Sequence, residues 1–479
     1  MKVLLTNTYF YRLDPKQWKA KQPYPPYGTL SAAATLQNLP VDLVFFDNTL
    51  RPGPQDLINH LKEEKPDILV IYDDGFNYLT KMCLTVMRQA AIKMVKAANA
   101  QGCKVVISSS DSTDHYSFYL DEGVDYVIVG EGEITLTETI LAISEHVNQF
   151  NDIHGLAFTS DGQPHRTDTR PVLKDLDELP TPAWSLLDPE PYRSVWMRYH
   201  GYFSINIATT RGCPFKCNWC AKPIYGNRYH SRSPERVSKE IAWLQDNFHV
   251  DHIWMCDDIF GLKPGWVQEF CTALEERSIR VPYKIQSRVD LLLKENNLDA
   301  LVQSGVQTIW VGAESGSQQV LDAMDKGTTV QQIEQATQLL KQRGVEVGFF
   351  LQFGYLGESK ADIQKTIDML MTLMPDDIGI SVSYPLPGTN FYEKVKGMLG
   401  EKKNWSDSDD LAMMYRSTFS PSYYRKLHRY VHRRFRKQQS LEQVRYGAWL
   451  DKLKGMGKWI AYTPIIWLNS AQMSILEKQ

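Results

Sequence analysis

Between Val3 and about Ile143, short apolar runs alternate with stretches whose apolar positions recur every three or four residues. The runs Val3–Leu5, Val41–Phe46, Ile68–Tyr72, Val105–Ser108 and Tyr126–Val129 have strand length and composition. Thr29–Gln37, Gln55–Glu64 and Tyr78–Ala100 have the helical period. Residues 1–150 are therefore expected to form a doubly wound parallel α/β sheet, which binds ligands at the carboxyl ends of its strands. Residues 151–202 lack a period and are rich in proline, as in Leu179-Pro180-Thr181-Pro182, which predicts an extended connector. A second alternation fills residues 203–390, with strands expected at Ser204–Ala208, His252–Met255, Tyr283–Gln286, Thr308–Val311, Val345–Leu351 and Ile378–Val382. Helical stretches such as Pro234–Asn247 and Val330–Arg343 separate them, so six βα repeats predict a partial (β/α)6 barrel with its active site at the C-terminal strand ends. Residues 391–479 read as a mostly helical tail.

Composition narrows the function classes. A chain of 479 residues exceeds the size of one core, and 43% hydrophobic with 23% charged residues is ordinary for a globular protein. A net charge of -3 argues against a dedicated nucleic-acid binder, and no nucleic-acid partner is expected. Seven cysteines are too few for a disulfide framework in a chain of this length and suit a reducing, cytoplasmic setting. No apolar stretch of signal-peptide length follows Met1, and no run of about 18 apolar residues is present, so neither an export signal nor a membrane span is expected.

The strongest chemical signal is Arg211-Gly212-Cys213-Pro214-Phe215-Lys216-Cys217-Asn218-Trp219-Cys220, directly after the first barrel strand. Three thiolates in one loop can ligate three irons of a four-iron, four-sulfur cluster and leave the fourth open to a small molecule. A structural zinc site would want a fourth ligand, and His230 stands ten residues beyond Cys220. The remaining cysteines, Cys83, Cys103, Cys256 and Cys271, fall in core-type patterns.

A CxxxCxxC loop with an aromatic residue, Trp219, before its last cysteine resembles the radical S-adenosylmethionine (SAM) superfamily. That resemblance implies a [4Fe-4S] cluster on Cys213, Cys217 and Cys220, whose open iron chelates SAM. One electron, from a donor such as flavodoxin or ferredoxin, then yields a 5′-deoxyadenosyl radical that abstracts a substrate hydrogen. It also implies SAM contacts from Asp257 and Asp258 in Cys256-Asp257-Asp258-Ile259-Phe260, although the usual glycine-rich version is absent. Further contacts are implied for Arg288, for Glu314 and Ser315 in Gly312-Ala313-Glu314-Ser315-Gly316, and for Gln352. An ordinary rim salt bridge is the alternative for Arg288 and Glu314.

Pro25-Pro26-Tyr27-Gly28-Thr29-Leu30 and Gly130-Glu131-Gly132-Glu133 resemble the cobalamin-binding domain that precedes the radical core in one large subgroup. The resemblance spans about residues 1–390 and implies cofactor contacts from Tyr27, Gly28, Ser109, Gly130 and Glu131. No histidine precedes His60, so bound cobalamin would lack a histidine lower ligand, and residues of the Thr8–Tyr27 loop would shield that face. Ser108-Ser109-Ser110-Asp111 stands where the subgroup often has glycines. A domain that keeps the fold and binds no cofactor is the alternative, and His115 reads as a solvated loop histidine.

The implied activity is radical functionalisation of an unactivated carbon in a small molecule or peptide, by C-methylation in the first instance. An anaerobic oxidative cyclase acting on a tetrapyrrole and a non-catalytic corrinoid or iron–sulfur sensor are the alternatives. In the tail, bases from Arg425 to Lys458 are interleaved with aromatics from Tyr423 to Trp467. This pattern suits either helices packed on the barrel or peripheral membrane contact. A monomer is expected.

Overall fold

The computed structural model describes all residues except 77–83, 148, 403, 447–448 and 478–479. The chain forms two compact units: Met1–Pro214 with Ala221–Ile285 and Asn404–Asp410, and Phe215–Cys220 with Gln286–Lys403 and Leu411–Gln479.

The first unit contains a seven-stranded sheet of order β2-β1-β3-β4-β5-β6-β7. Strands β1 (Lys2–Thr6), β2 (Asp42–Phe46), β3 (Ile68–Tyr72), β4 (Lys104–Ser108) and β5 (Tyr126–Ile128) are parallel. The apolar runs of β1 and β3 are buried because helices cover both faces of a parallel sheet. Val3, Leu5, Val70, Ala33, Leu36, Leu136 and Ile140 form part of its core. The order 2-1-3-4-5 places a topological switch point between β1 and β3, where ligands bind in doubly wound sheets.

The connector is less irregular than its sequence predicts. Strands β6 (Leu156–Ser160) and β7 (Gln163–Arg166) form an antiparallel hairpin that extends the sheet past residue 150. Asp161 and Gly162 turn it with φ of 50° and 74°, as a two-residue hairpin loop requires. Every residue of β7 is exposed, including Pro164, which only an edge strand tolerates, so β7 carries no hydrophobic alternation to detect. The helix expected from Tyr78 runs from Thr85 to Asn99, and residues 78–83 lie outside the described set.

The same unit holds β8 (Ser204–Ile207), β11 (His252–Met255) and the start of β12 (Tyr283–Ser287), parallel in the order β8-β11-β12. The short antiparallel pair β9 (Thr210–Arg211) and β10 (His230–Ser231) brackets the cysteine segment in the sequence.

The second unit holds the parallel strands β13 (Val306–Glu314), β14 (Glu346–Phe353) and β15 (Asp377–Val382). Helices Val330–Gln342 and Lys360–Leu373 begin at reciprocal capping boxes, Thr329 with Gln332 and Ser359 with Asp362. On one strand face the Trp310 and Phe350 rings stack at 4.7 Å. Gly348 makes room for them, since a Cβ there would lie 2.4 Å from the indole.

The tail forms helices Pro421–Tyr446 and Trp449–Leu476. Tyr423, Tyr424, Leu427, Val431 and Phe435 are buried, and Arg436 pairs with Asp377 of β15 at 2.5 Å. Trp467 and Ile460 of the second helix are 74% and 65% exposed, so the packing of aromatics holds for the first helix and not throughout the second. Among the described residues no helix is long and apolar enough to cross a membrane.

Candidate active site

In the first unit, the approach to Cys213 is braced from three directions. After β11, Asp257 accepts from the backbone N–H of Thr209 at 2.7 Å and of Thr210 at 2.9 Å, and from the Thr209 hydroxyl. Burial pushes its carboxyl up to about 6. Asp257 therefore holds the turn after β8 rather than offering a free carboxylate to a ligand, while its neighbour Asp258 is exposed. Gly212 has φ of 74°, and a Cβ there would lie 2.4 Å from the Arg228 carbonyl, so only glycine fits before Cys213.

Arg211 is buried and donates to Glu131 Oε1 and to Glu133 Oε1, each at 2.5 Å. Its guanidinium lies 5.2 Å from the Tyr225 ring and 5.8 Å from Phe76. Glu131 also accepts from the backbone N–H of Leu173 at 2.7 Å. The Gly130-Glu131-Gly132-Glu133 segment thus anchors the cysteine loop, with the Glu131 carboxylate held by Arg211 and Leu173. Gly130 has φ of 86° and donates its N–H to Thr113 at 3.2 Å.

Two further residues expected at a cofactor, Tyr27 and Gly28, have protein partners. The Tyr27 hydroxyl donates to the Ala208 carbonyl at 3.3 Å and accepts from Arg232 at 3.0 Å, so it is a buried structural group. Gly28 donates to Asp74 Oδ1 at 3.2 Å, and the Asp74 backbone fills the space a Cβ would need. Its lack of a side chain lets the β3 loop approach closely. Ser109 caps the short helix Ser110–Asp114 through Ser112. The adjoining cavity, lined by Thr8, Asp73, Arg88, Ser109 and Asp111, measures about 20 Å³, enough for a water and not for a nucleotide tail. His115 lies 3.8 Å from Asp111 and is lowered by burial. A larger cavity of about 160 Å³ opens at the carboxyl ends of β1 and β3, where Asn7, Tyr9, Thr49 and Asp74 meet the barrel strands. No histidine is among its lining residues.

In the second unit, the segment Phe215–Cys220 is gripped by residues that no motif marked. Asn218 donates its backbone N–H to Met324 O at 3.0 Å and accepts at its own carbonyl from Phe391 N–H at 2.8 Å. Its amide donates to Ala323 O and Asp325 Oδ2, both at 2.8 Å, and accepts from the Tyr355 hydroxyl at 2.9 Å. An Asn218→Asp variant places a carboxylate against Asp325 and the Ala323 carbonyl. It is expected to lose about 2 kcal/mol or more of stability, readable by urea unfolding, and to hold less iron after reconstitution.

Arg288 stacks on Phe215 at 3.7 Å, forks onto Asp290 at 2.9 and 3.2 Å, and donates to Lys326 O at 2.9 Å. Glu314, at φ of 56°, pairs with Lys326 Nζ at 2.8 Å inside the protein. Arg288 and Glu314 therefore do not pair with each other, and each is already engaged by protein groups. A Cβ on Gly312 would lie 2.5 Å from Lys326 Nζ, so glycine leaves the space for that ion pair. Burial pulls Lys326 down, but the Glu314 carboxylate and Cys217 together hold it above the usual lysine range. Ser315 shares its hydroxyl with Thr366 at 3.0 Å. Gln352 donates to Ser383 Oγ at 3.1 Å, and its Oε1, like Trp219 Nε1, is buried without a partner. Such orphaned polar atoms suit a polar ligand, and they lie in the unit that carries Cys217 and Cys220.

Glu358 supports this region from behind by accepting from the Gly354 N–H at 2.6 Å, next to Tyr355. Burial pushes its carboxyl from 4.5 up to about 8. Because the unfolded chain ionises near 4.5 and the folded chain near 8, Glu358 contributes stability that is complete below pH 4.5 and is lost as pH rises to 8. Glu358→Gln should flatten that part of the pH dependence, as urea midpoints at pH 5 and pH 8 would report.

Cys213, Cys217 and Cys220 are half-buried and form no disulfide, whereas Cys103, Cys256 and Cys271 are fully buried and form none either. Cys83 lies outside the described residues. Among the described residues no three His, Cys, Asp or Glu side chains are arranged to hold one metal ion. A donor set of three thiols without carboxylate or imidazole fits an iron–sulfur cluster, which spreads its thiolates over several irons.

Residues 207–370 match the family model described as the radical SAM superfamily. An uncharacterised methyltransferase of Pyrococcus horikoshii is 29% identical over 272 residues, 56% of this chain and 58% of that protein. The anaerobic magnesium-protoporphyrin IX monomethyl ester cyclase of Rubrivivax gelatinosus is 27% identical over 368 residues, 75% of this chain and 63% of that protein. The chain thus spans less than two thirds of the length of either relative. Among solved structures, the radical SAM methyltransferase TsrM of Kitasatospora setae, with cobalamin and a [4Fe-4S] cluster bound, superposes with a TM-score of 0.68 at 18% identity, covering 83% of this chain and 75% of that one. OxsB, a cobalamin-dependent SAM radical enzyme with aqua-cobalamin bound, superposes with a TM-score of 0.71 at 17% identity, covering 100% of this chain and 76% of that one. These matches establish an α/β fold with the curled parallel half-barrel of radical SAM enzymes, which implies a [4Fe-4S] cluster and SAM.

Proposed function

We propose that this chain, which carries a radical SAM domain over residues 207–370, is a cobalamin-dependent enzyme that methylates an unactivated carbon. The observation that carries the reading is that its fold superposes on TsrM over 83% and on OxsB over 100% of this chain, well beyond residues 207–370. Methyltransferase-named relatives point the same way, and the cyclase relatives favour the alternative less.

When bound, the cluster with SAM supplies a 5′-deoxyadenosyl radical and cobalamin supplies a methyl group. Cys213, Cys217 and Cys220 would hold the cluster, Trp219 and Gln352 offer unpaired polar atoms to SAM, and Asn218, Arg288 and Lys326 keep the thiol loop in place. The corrinoid would bind without a histidine lower ligand from this chain. The substrate is a small molecule or a peptide, and the electron comes from a flavodoxin or ferredoxin.

Anaerobically reconstituted protein given SAM, cobalamin and reductant should form 5′-deoxyadenosine, and substrate turnover should add about fourteen mass units per methyl. Oxygen insertion without methyl gain would favour the cyclase reading. Absence of 5′-deoxyadenosine would favour a sensor.

A further inference from the structure

The inner row of the first three barrel strands carries a cation with no counter-ion. Asn206, Trp254 and Lys284 are direct register partners across β8, β11 and β12. They form one wall of the cavity of about 160 Å³, room for roughly five waters at about 30 Å³ each. Tyr24 packs on Trp254 with ring centroids 4.7 Å apart, and Lys284 Nζ stands 5.0 Å from each of those two rings. No ion pair or hydrogen bond engages Lys284 among the described residues, and burial alone pulls its ammonium down to about 8. Its neighbour His252 shares a proton with Ser204 at 2.8 Å and is driven to about 3 by burial and by Lys284, so it adds no charge at neutral pH. Asp74, the carboxylate in the cavity wall, is committed to the backbone N–H groups of Gly28 at 3.2 Å and Phe76 at 3.0 Å.

A half-buried ammonium with no counter-ion among the described residues loses part of its hydration, and two aromatic faces offset only part of that cost. The arrangement is explained if an anion supplied from outside completes it. We infer that Lys284, with Asn206 and the Tyr24 and Trp254 rings, forms the subsite for an acidic group, a carboxylate or phosphate, on a substrate with a flat apolar part. The alternative source of such an anion is the carboxylate of SAM. Lys284 is the second residue of β12, at the start of the strand, whereas the SAM contacts expected here, such as Gln352, lie at or beyond the carboxyl ends of their strands. The inference rests on the reading that a substrate enters this barrel.

The test uses full-length, cluster-reconstituted protein with benzoate and phenyl phosphate as probes and benzyl alcohol as the neutral control, followed by calorimetry. One or both anions should bind the wild type saturably and Lys284→Met at least about tenfold more weakly, with Lys284→Arg retaining binding and benzyl alcohol indifferent to the change. Lys284→Met should unfold no earlier than the wild type, since it removes a half-buried charge with no counter-ion among the described residues, and this also shows that the variant folds. Equal anion affinity in wild type and Lys284→Met, or no saturable anion binding, overturns the inference. A loss of SAM affinity in Lys284→Met with probe binding unchanged reassigns the lysine to SAM and overturns it too. Absence of 5′-deoxyadenosine from the wild type given SAM and reductant would count against the proposed function, while probe binding would still report on the subsite.

Discussion

Cys217→Ala is expected to reduce 5′-deoxyadenosine formation to background, below about a thousandth of the wild-type rate. With one thiolate of the three missing, a cubane cluster loses a protein ligand and the differentiated open iron on which SAM cleavage depends. The surrounding network should survive, because Asn218, Tyr355 and Arg288 fix the backbone of Phe215–Cys220 through contacts that do not involve the Cys217 sulfur. The variant should therefore unfold near the wild-type urea concentration while its iron content and charge-transfer absorption fall. Full iron content with intact SAM cleavage would refute the ligand role of Cys217.

Arg211→Met should have the largest effect on stability, of about 3–5 kcal/mol, because it strands Glu131 and Glu133 inside the protein without their shared cation. The cost comes from unpaired buried charge more than from loss of a favourable contact. Adding Glu131→Gln and Glu133→Gln should therefore recover most of the stability, so the triple variant unfolds close to wild type. A purely additive loss across the three sites would show that each acts alone, contrary to the geometry. Reconstituted iron content is a second readout, since Arg211 lies two residues before Cys213 and ties that loop to the segment after β5.

Legibility of the fold followed burial. Strands enclosed on both faces, such as β3 and β14, announce themselves by continuous apolar runs. The exposed hairpin strand β7 does not, because solvent imposes no pattern on it. The site divided in the same way. The cysteine spacing is local chemistry and can be read from ten consecutive residues. The residues that hold the loop come from distant segments: Asn218 meets Ala323, Asp325, Tyr355 and Phe391, and Lys326 meets Glu314. Only Asn218 could have been suspected, since an amide set between two cysteines of a cluster loop has to find partners.

By itself the sequence determined the alternation of strands and helices, the parallel sheets and the three-thiol loop, because periodicity and ligand spacing are properties of neighbouring residues. Tertiary structure decided which polar residues are free. Tyr27, Gly28, Glu131, Asp257, Arg288 and Glu314 match family motifs, yet each is satisfied by a partner at least two, and up to 205, positions away. Lys284 has no motif and stands without a counter-ion among the described residues. Whether a buried charge is paired depends on what folding brings beside it, and composition and spacing carry no record of that.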